Sequence, residues 1–308
     1  MTPRNAPNAP HPIAPRGGQH RLRPPLGGGR HGRAETEPPH RPAAGRPPFF
    51  GTQAVDTLPL PAGSERGPSP AAPFRGSPAL RWADGAAGIV LPEARATGGL
   101  SKARVEGALR DTRDFLIAAN LDPATLRGER PQAAMDLIDP ADRTLLDRLE
   151  ASLAKPSEKH DPLMMFSRFD PAEVVPAGPV VKTRGRTTFE AGERPGSVEI
   201  HADYTFVLPV TRARVDADQV ARTIVRRVLT VEVSDPVTYE VTPGKIWIAE
   251  YRAHIYNSSC TVFDGYLHPA FPGDAPESDA SGPSQDPYDR STAGIAPEPD
   301  ECAPVSRT

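Results

Sequence analysis

Residues 198–210 read V-E-I-H-A-D-Y-T-F-V-L-P-V. Val198, Ile200, Ala202, Tyr204, Phe206, Leu208 and Val210 alternate with Glu199, His201, Asp203 and Thr205. Successive side chains of an extended strand point to opposite faces. The pattern therefore predicts a long strand with one apolar and one charged face. A strand of that kind needs neighbours for its backbone and a second layer over its apolar side.

The neighbours are legible in the same way. In residues 180–189, Val181, Thr183, Gly185, Thr187 and Phe189 face one way and Lys182, Arg184 and Arg186 the other. The turn A-G-E-R-P-G at 191–196 joins this stretch to the next. Residues 220–233 place Val225, Leu229, Val231 and Val233 inward, while Ile224 and Val228 make the other face part apolar, as in a central strand. Residues 245–257 form the last long strand, with Trp247, Tyr251 and Ile255 set against Ile246 and Ile248.

The covering layer lies upstream. Ser101 is an N-cap, with Leu100 and Val105 as a hydrophobic staple. Val105, Ala108, Leu109, Thr112, Phe115, Leu116 and Ala119 recur at spacings of three and four, one face of a helix over 102–120. Asp122-Pro123 and Asp139-Pro140 each put a capping carboxylate before a proline. The first opens a short helix ending near Gly128, and residues 132–138 form another turn or two. The second opens a helix over 140–154 with Leu145, Leu146, Leu149 and Leu153 buried, ended by Pro156. Met164, Met165 and Phe166 read as core filler, and residues 263–271 as an aromatic segment packing back on the domain. The fold class is α+β: N-terminal helices packed on a curved, mainly four-stranded antiparallel sheet, flanked by disordered arms.

Composition sets the domain limits. The 308 residues include 39 Pro and 26 Gly, with only 37% hydrophobic and 6% aromatic, too little apolar matter for a core along the whole length. The expected division is a disordered Arg/Pro/Gly-rich arm at 1–99, one domain at 100–271 and an acidic Ser/Pro-rich tail at 272–308. The arm reads as a solvated tail, as leader translated from a start set too far upstream, or as an Arg-rich tail for an acidic partner. Its aromatics, Phe49, Phe50, Phe74 and Trp82, are not interleaved with arginines, which argues against nucleic acid. Ile89, Val90 and Leu91 form a short strand or an anchor. A net charge of −3 carries no global bias toward nucleic acid or membrane.

No stretch is apolar for the roughly 18–20 residues of a membrane span, and no apolar segment follows Arg4 as in a secretory signal. The default location is cytoplasmic. Cys260 and Cys302 read as free thiols, with a disulfide as the alternative in an exported chain.

Chemistry is sparsely signalled. No metal cluster, cofactor loop or nucleophile motif stands out, so no catalytic residue, metal ligand or cofactor is assigned. The charged strand faces place Lys182, Arg184 and Arg186 across from Glu199, His201 and Asp203, with Arg222, Arg226, Glu250, Arg252 and His254 extending the array. This reads as cross-strand pairing on a solvated face, or as an acid/base site using His201 or His254. Tyr204, Trp247 and Tyr251, with Tyr256 and Tyr266, are core aromatics or pocket walls. The candidate ligand-binding residues are His201, Asp203, Tyr204, Trp247 and Tyr251.

Helices followed by four long antiparallel strands resemble the cone-shaped rolls of the nuclear-transport-factor and cystatin-like folds across 100–271. Five strings are more specific: N-L-D-P-A-T-L-R-G-E-R from Asn120, F-S-R-F-D-P-A-E-V from Phe166, H-A-D-Y-T-F-V from His201, R-T-I-V-R-R-V from Arg222 and F-D-G-Y-L-H-P from Phe263. They resemble an uncharacterised actinobacterial family without an assigned activity, often envelope-associated. That resemblance implies the cell envelope as the alternative location. Three functions follow as expectations: a non-catalytic binding or interaction domain with a protein partner, a small-molecule-binding or catalytic roll, and nucleic-acid binding by the arm.

Overall fold

In the computed structural model, which describes residues 67–275, 284–290 and 305–308, the alternating stretch is the spine of a sheet. Its strands are β1 (Ala83–Asp84), β2 (Val174–Pro176), β3 (Lys182–Ala191), β4 (Ser197–Arg212), β5 (Ala221–Ser234) and β6 (Trp247–Tyr256). The order is β1-β3-β4-β5-β6, and β2 extends the β3 edge by pairing with the far end of β4. Every pairing is antiparallel. The sheet has six strands rather than four. The additional β1 and β2 are two and three residues long, too short to leave a period in the sequence.

Four helices precede the long strands: α1 (Lys102–Asn120), α2 (Pro123–Leu126), α3 (Gln132–Met135) and α4 (Arg143–Ala154). The Ser101 hydroxyl accepts the Arg104 N–H at 3.4 Å and opens α1. α4 starts three residues later than Asp139-Pro140 suggested. Asp142 is its cap, accepting the Leu145 N–H at 3.1 Å. Asp139 instead accepts from the Ala141 and Thr242 N–H groups at 2.9 and 2.8 Å, tying the α4 approach to the β5–β6 connection.

The inner sheet face carries the core. Val105, Leu109, Phe115 and Leu116 of α1 share one apolar cluster with Ile200, Tyr204, Phe206, Leu229 and Val231. Each such side chain contributes about 1.5–3 kcal/mol by leaving water. Leu163, Phe169, Leu208, Val210, Val225, Leu267 and Phe271 form a second cluster, so residues 263–271 do pack back on the domain. Gly185 lets the Tyr204 ring cross β3, since a Cβ there would meet Tyr204 Cδ1 at 2.2 Å.

Limits of 100–271 are too narrow on both sides. Phe74, Ala79, Trp82 and Tyr288 cover Val207 and Ile224 on the outer sheet face. Ile89 and Ala94 belong to the inner core, without a strand at 89–91. These flanks hold to the sheet by a few isolated anchors, and isolated anchors have no period. The described residues all fall in one unit, Leu58–Thr308. Phe49, Phe50, the arginine-rich stretch 21–33 and Cys302 lie outside them. Among the described residues no helix is long and apolar enough to cross a membrane.

Candidate functional site

The pairing register lays the outer-face side chains in cross-strand rows. Glu190 pairs with Glu199, and Glu199 with Glu232, so three carboxylates stand side by side. The next row is Thr188, His201, Thr230 and Glu250, and the next Arg186, Asp203, Val228 and Arg252. After it come Arg184, Thr205, Arg226 and His254. The face is therefore segregated, basic in the middle and acidic at one end, where Arg194 of the 191–196 turn pairs with Glu232. Of the three expected oppositions only the Arg186 side met an acid, Asp203, because Lys182 faces Val207 and Arg184 faces Thr205.

His201 has Nδ1 3.3 Å from Thr230 Oγ1 and Nε2 3.3 Å from Glu190 Oε1. Asp203 accepts from Arg226 Nε and Nη2, at 2.9 Å each, and lies 3.0 Å from Arg290. Burial opposes its charge, but the Arg226 hydrogen bond and the charges of Arg290 and Arg226 outweigh that and hold the carboxyl below its ordinary value. Tyr204 is fully buried on the other face, its hydroxyl 2.8 Å from Thr187 Oγ1. Tyr251 is half-buried, accepting from Arg148 Nη1 at 3.4 Å. Trp247 faces outward beside Glu232, since a bulge at Thr230/Val231 reverses the alternation expected between it and Tyr251. The five candidates thus sit in separate places, and only His201 and Asp203 share a surface.

Buried arginines are the feature the sequence reading missed. Arg222 donates to the main-chain oxygens of Arg75, at 3.2 Å, and Thr308. Arg227 is fully buried on the inner face and donates to Asn120 Oδ1 at 2.9 Å, Leu163 O at 2.5 Å and Ser167 Oγ at 3.3 Å. Burial pushes its guanidinium down to about 9. Alternation around Val225, Leu229 and Val231 already placed Arg227 inward, which was the available signal. Arg168 is also buried, donating to the Gly265 and Gly128 carbonyls at 3.3 and 2.6 Å.

The loop after β6 holds a third charged group. His268 Nδ1 lies 2.9 Å from Glu173 Oε2 and Nε2 2.9 Å from Asp264 Oδ1. Burial disfavours the imidazolium, but the Asp264 hydrogen bond and the charges of Asp264 and Glu173 together hold it above its ordinary value. Both ring nitrogens are occupied by carboxylates, which makes the group a tether. Cys260, in the same loop, is disulfide-bonded, contrary to the expected free thiol.

A cleft of about 300 Å³ opens where α1, the end of β5 and the β5–β6 connection meet. Arg104, Gly107 and Asp111 of α1 form one wall, and Lys245 and Trp247 the opposite one. Of the expected residues only Trp247 lines it. Among the described residues no group of three or more His, Cys, Asp or Glu is placed to hold a metal ion. Compared with known proteins, the chain matches no family model, no curated protein and no solved structure.

Proposed function

We propose that the chain is a non-catalytic binding domain that docks a protein partner on its outer sheet face, in an oxidising setting such as the cell envelope. The observation that carries this reading is the segregation of charge on that face. Arg184, Arg186 and Arg252 are exposed in adjoining rows, and the carboxylates of Glu190, Glu199, Glu232 and Glu250 follow in the next two. Like charges set opposite each other across strands destabilise an isolated sheet by a few tenths to about 1 kcal/mol. A partner carrying the reverse order, acidic over the arginines and basic over the carboxylates, offsets that cost and is selected by it.

The groups that a catalytic reading would use are engaged elsewhere: His201 with Thr230 and Glu190, Asp203 with two arginines, Tyr204 with Thr187. The disulfide at Cys260 supports the oxidising setting, because such bonds persist mainly outside reducing compartments. The test is a footprint of arginine-specific and carboxylate-specific labelling, taken in the native cells and on the purified protein. Partner docking shields Arg184, Arg186 and Glu190 in cells alone. Equal labelling of these residues in both settings overturns the reading.

A further inference from the structure

The cleft beside Trp247 adjoins the acidic end of the outer face, since Glu232 lines it too, and its walls carry groups that the fold leaves loosely partnered. Asp111 lines it half-buried, and no hydrogen bond or ion pair is formed by its carboxylate among the described residues. Burial first, and the Asp114 charge after it, push that carboxyl above its ordinary value, against the pull of Arg110 and Lys245. Arg104, about two turns earlier on α1, reaches only Asp235, at 3.9 Å, beyond hydrogen-bond distance. Lys245 is taken up by the Asp136 carbonyl, Asp139 by Ala141 and Thr242, and Glu232 by Arg194. The Asp111 carboxylate and the loosely paired Arg104 guanidinium therefore remain available to the same cleft. Across from them Trp247 keeps 36% of its surface exposed.

Gly107 is the second observation. It sits in the middle of α1, where glycine is about 1 kcal/mol worse than alanine. Its φ is helical, and a Cβ built on it meets nothing within 4 Å. Neither backbone conformation nor packing asks for glycine there. What the missing side chain leaves is the open space of the cleft that Gly107 lines. A volume of about 300 Å³ is at the lower end of small-molecule sites, which suits a compact ligand.

We propose that this cleft binds a small zwitterion of amino-acid type, its ammonium group on Asp111, its carboxylate on Arg104 and its apolar body against Trp247. A neutral sugar leaves both charges unmatched, and a simple anion or cation leaves one of them so. The paired arrangement compensates a half-buried carboxylate and a loosely held guanidinium in one step.

The test uses the full-length protein and three probes of one shape: L-phenylalanine, phenethylamine, which lacks the carboxylate, and 3-phenylpropionate, which lacks the amine. Binding is read by NMR from the Trp247 indole and Gly107 amide signals, at up to about 10 mM ligand, a range that reveals millimolar dissociation constants. L-phenylalanine is expected to move both signals, and each single-charge analogue to bind about 10- to 100-fold more weakly. D111N is expected to weaken L-phenylalanine by the same order while leaving phenylpropionate binding unchanged, and R104A to do the converse with phenethylamine. G107L puts a side chain into the cleft from a position whose Cβ meets nothing within 4 Å and improves the helix, so it abolishes binding while the melting temperature stays the same or rises. Three outcomes overturn the proposal: no shift with L-phenylalanine, equal binding of amine and amino acid, or full binding by folded G107L.

Discussion

Arg226 and Arg227 are adjacent in the chain and meet opposite treatment. Arg226 points to the outer face, where it forms a two-pronged bond with Asp203, and that bond, against the pull of burial, raises its affinity for the proton. Arg227 points to the inner face among helices and receives three neutral oxygens. The pleat alone separates them. The outer face is a place where charge meets charge, and flanks from both ends of the chain are held there through Arg222, Arg226 and Arg290. The inner face keeps its cation by surrounding it with carbonyl, amide and hydroxyl oxygens. A buried ion held by neutral oxygens, with only the Asp161 charge acting on it, is costly, so the geometry of Asn120, Ser167 and Leu163 around it has to be well kept.

The sharpest way to break the comparison is to remove the inner cation. R227A strands Asn120, Ser167 and the Leu163 carbonyl and opens a void, and is expected to cost about 3–5 kcal/mol in urea unfolding. R227M keeps most of the volume and removes the charge, and is expected to cost less than R227A by at least about 1 kcal/mol. Equal losses would show that the inner face needs the guanidinium itself rather than a filled space.

On the outer face, D203N leaves Arg226 and Arg290 facing one neutral amide. The expected loss is about 2–3 kcal/mol, smaller than for R227A because Asp203 keeps some contact with water. Amide exchange at residues 284–290 should rise with it, since Arg290 is released. Unchanged exchange there would mean that the C-terminal flank does not depend on the Asp203 pair. Y288F removes the bond to Ser77, 2.8 Å in length, and keeps the edge-on ring contact with Trp82 at 5.7 Å. Its expected cost is about 1 kcal/mol.

The smallest effects come from pH, and the two sites move in opposite directions. Asp203 titrates below its ordinary 3.8 in the folded chain, so its contribution is present above pH 3.8 and lost as pH falls through the lower folded value. His268 titrates above its ordinary 6.5, so its contribution is full below pH 6.5 and lost as pH rises through the higher folded value. Exchange should therefore increase in the C-terminal flank on acidification, and in the loop around His268 on alkalinisation. H268Q abolishes the second response and leaves the first.

Local signals in the sequence were strong where one residue had one role. Ser101 and the spacing of Val105, Leu109 and Leu116 placed α1 at its observed limits, and the alternation around Tyr204 placed β4 within two residues. They were weak where a residue had to choose. Asp139 and Asp142 both precede a helix, and only the distant Thr242 decides that Asp139 is occupied elsewhere. The register of β3 on β4 depends on the geometry of the 191–196 turn, which left the rows of the outer face open. A bulge turned Trp247 away from Tyr251. Phe74, Trp82 and Tyr288 were lost among prolines because three anchors in long polar stretches are averaged away. In the cleft, Asp111, Arg104 and the glycine between them lie outside the apolar stripe of α1, so the helical period carries no signal for them.

Arg222 has a mechanical meaning. One guanidinium, rooted in the central strand β5, grips the flank at Arg75 and the flank at Thr308 at once. A pull that draws those two flanks apart loads that grip together with the Ser77–Tyr288 bond, so the flanks are latched to one another as well as to the sheet.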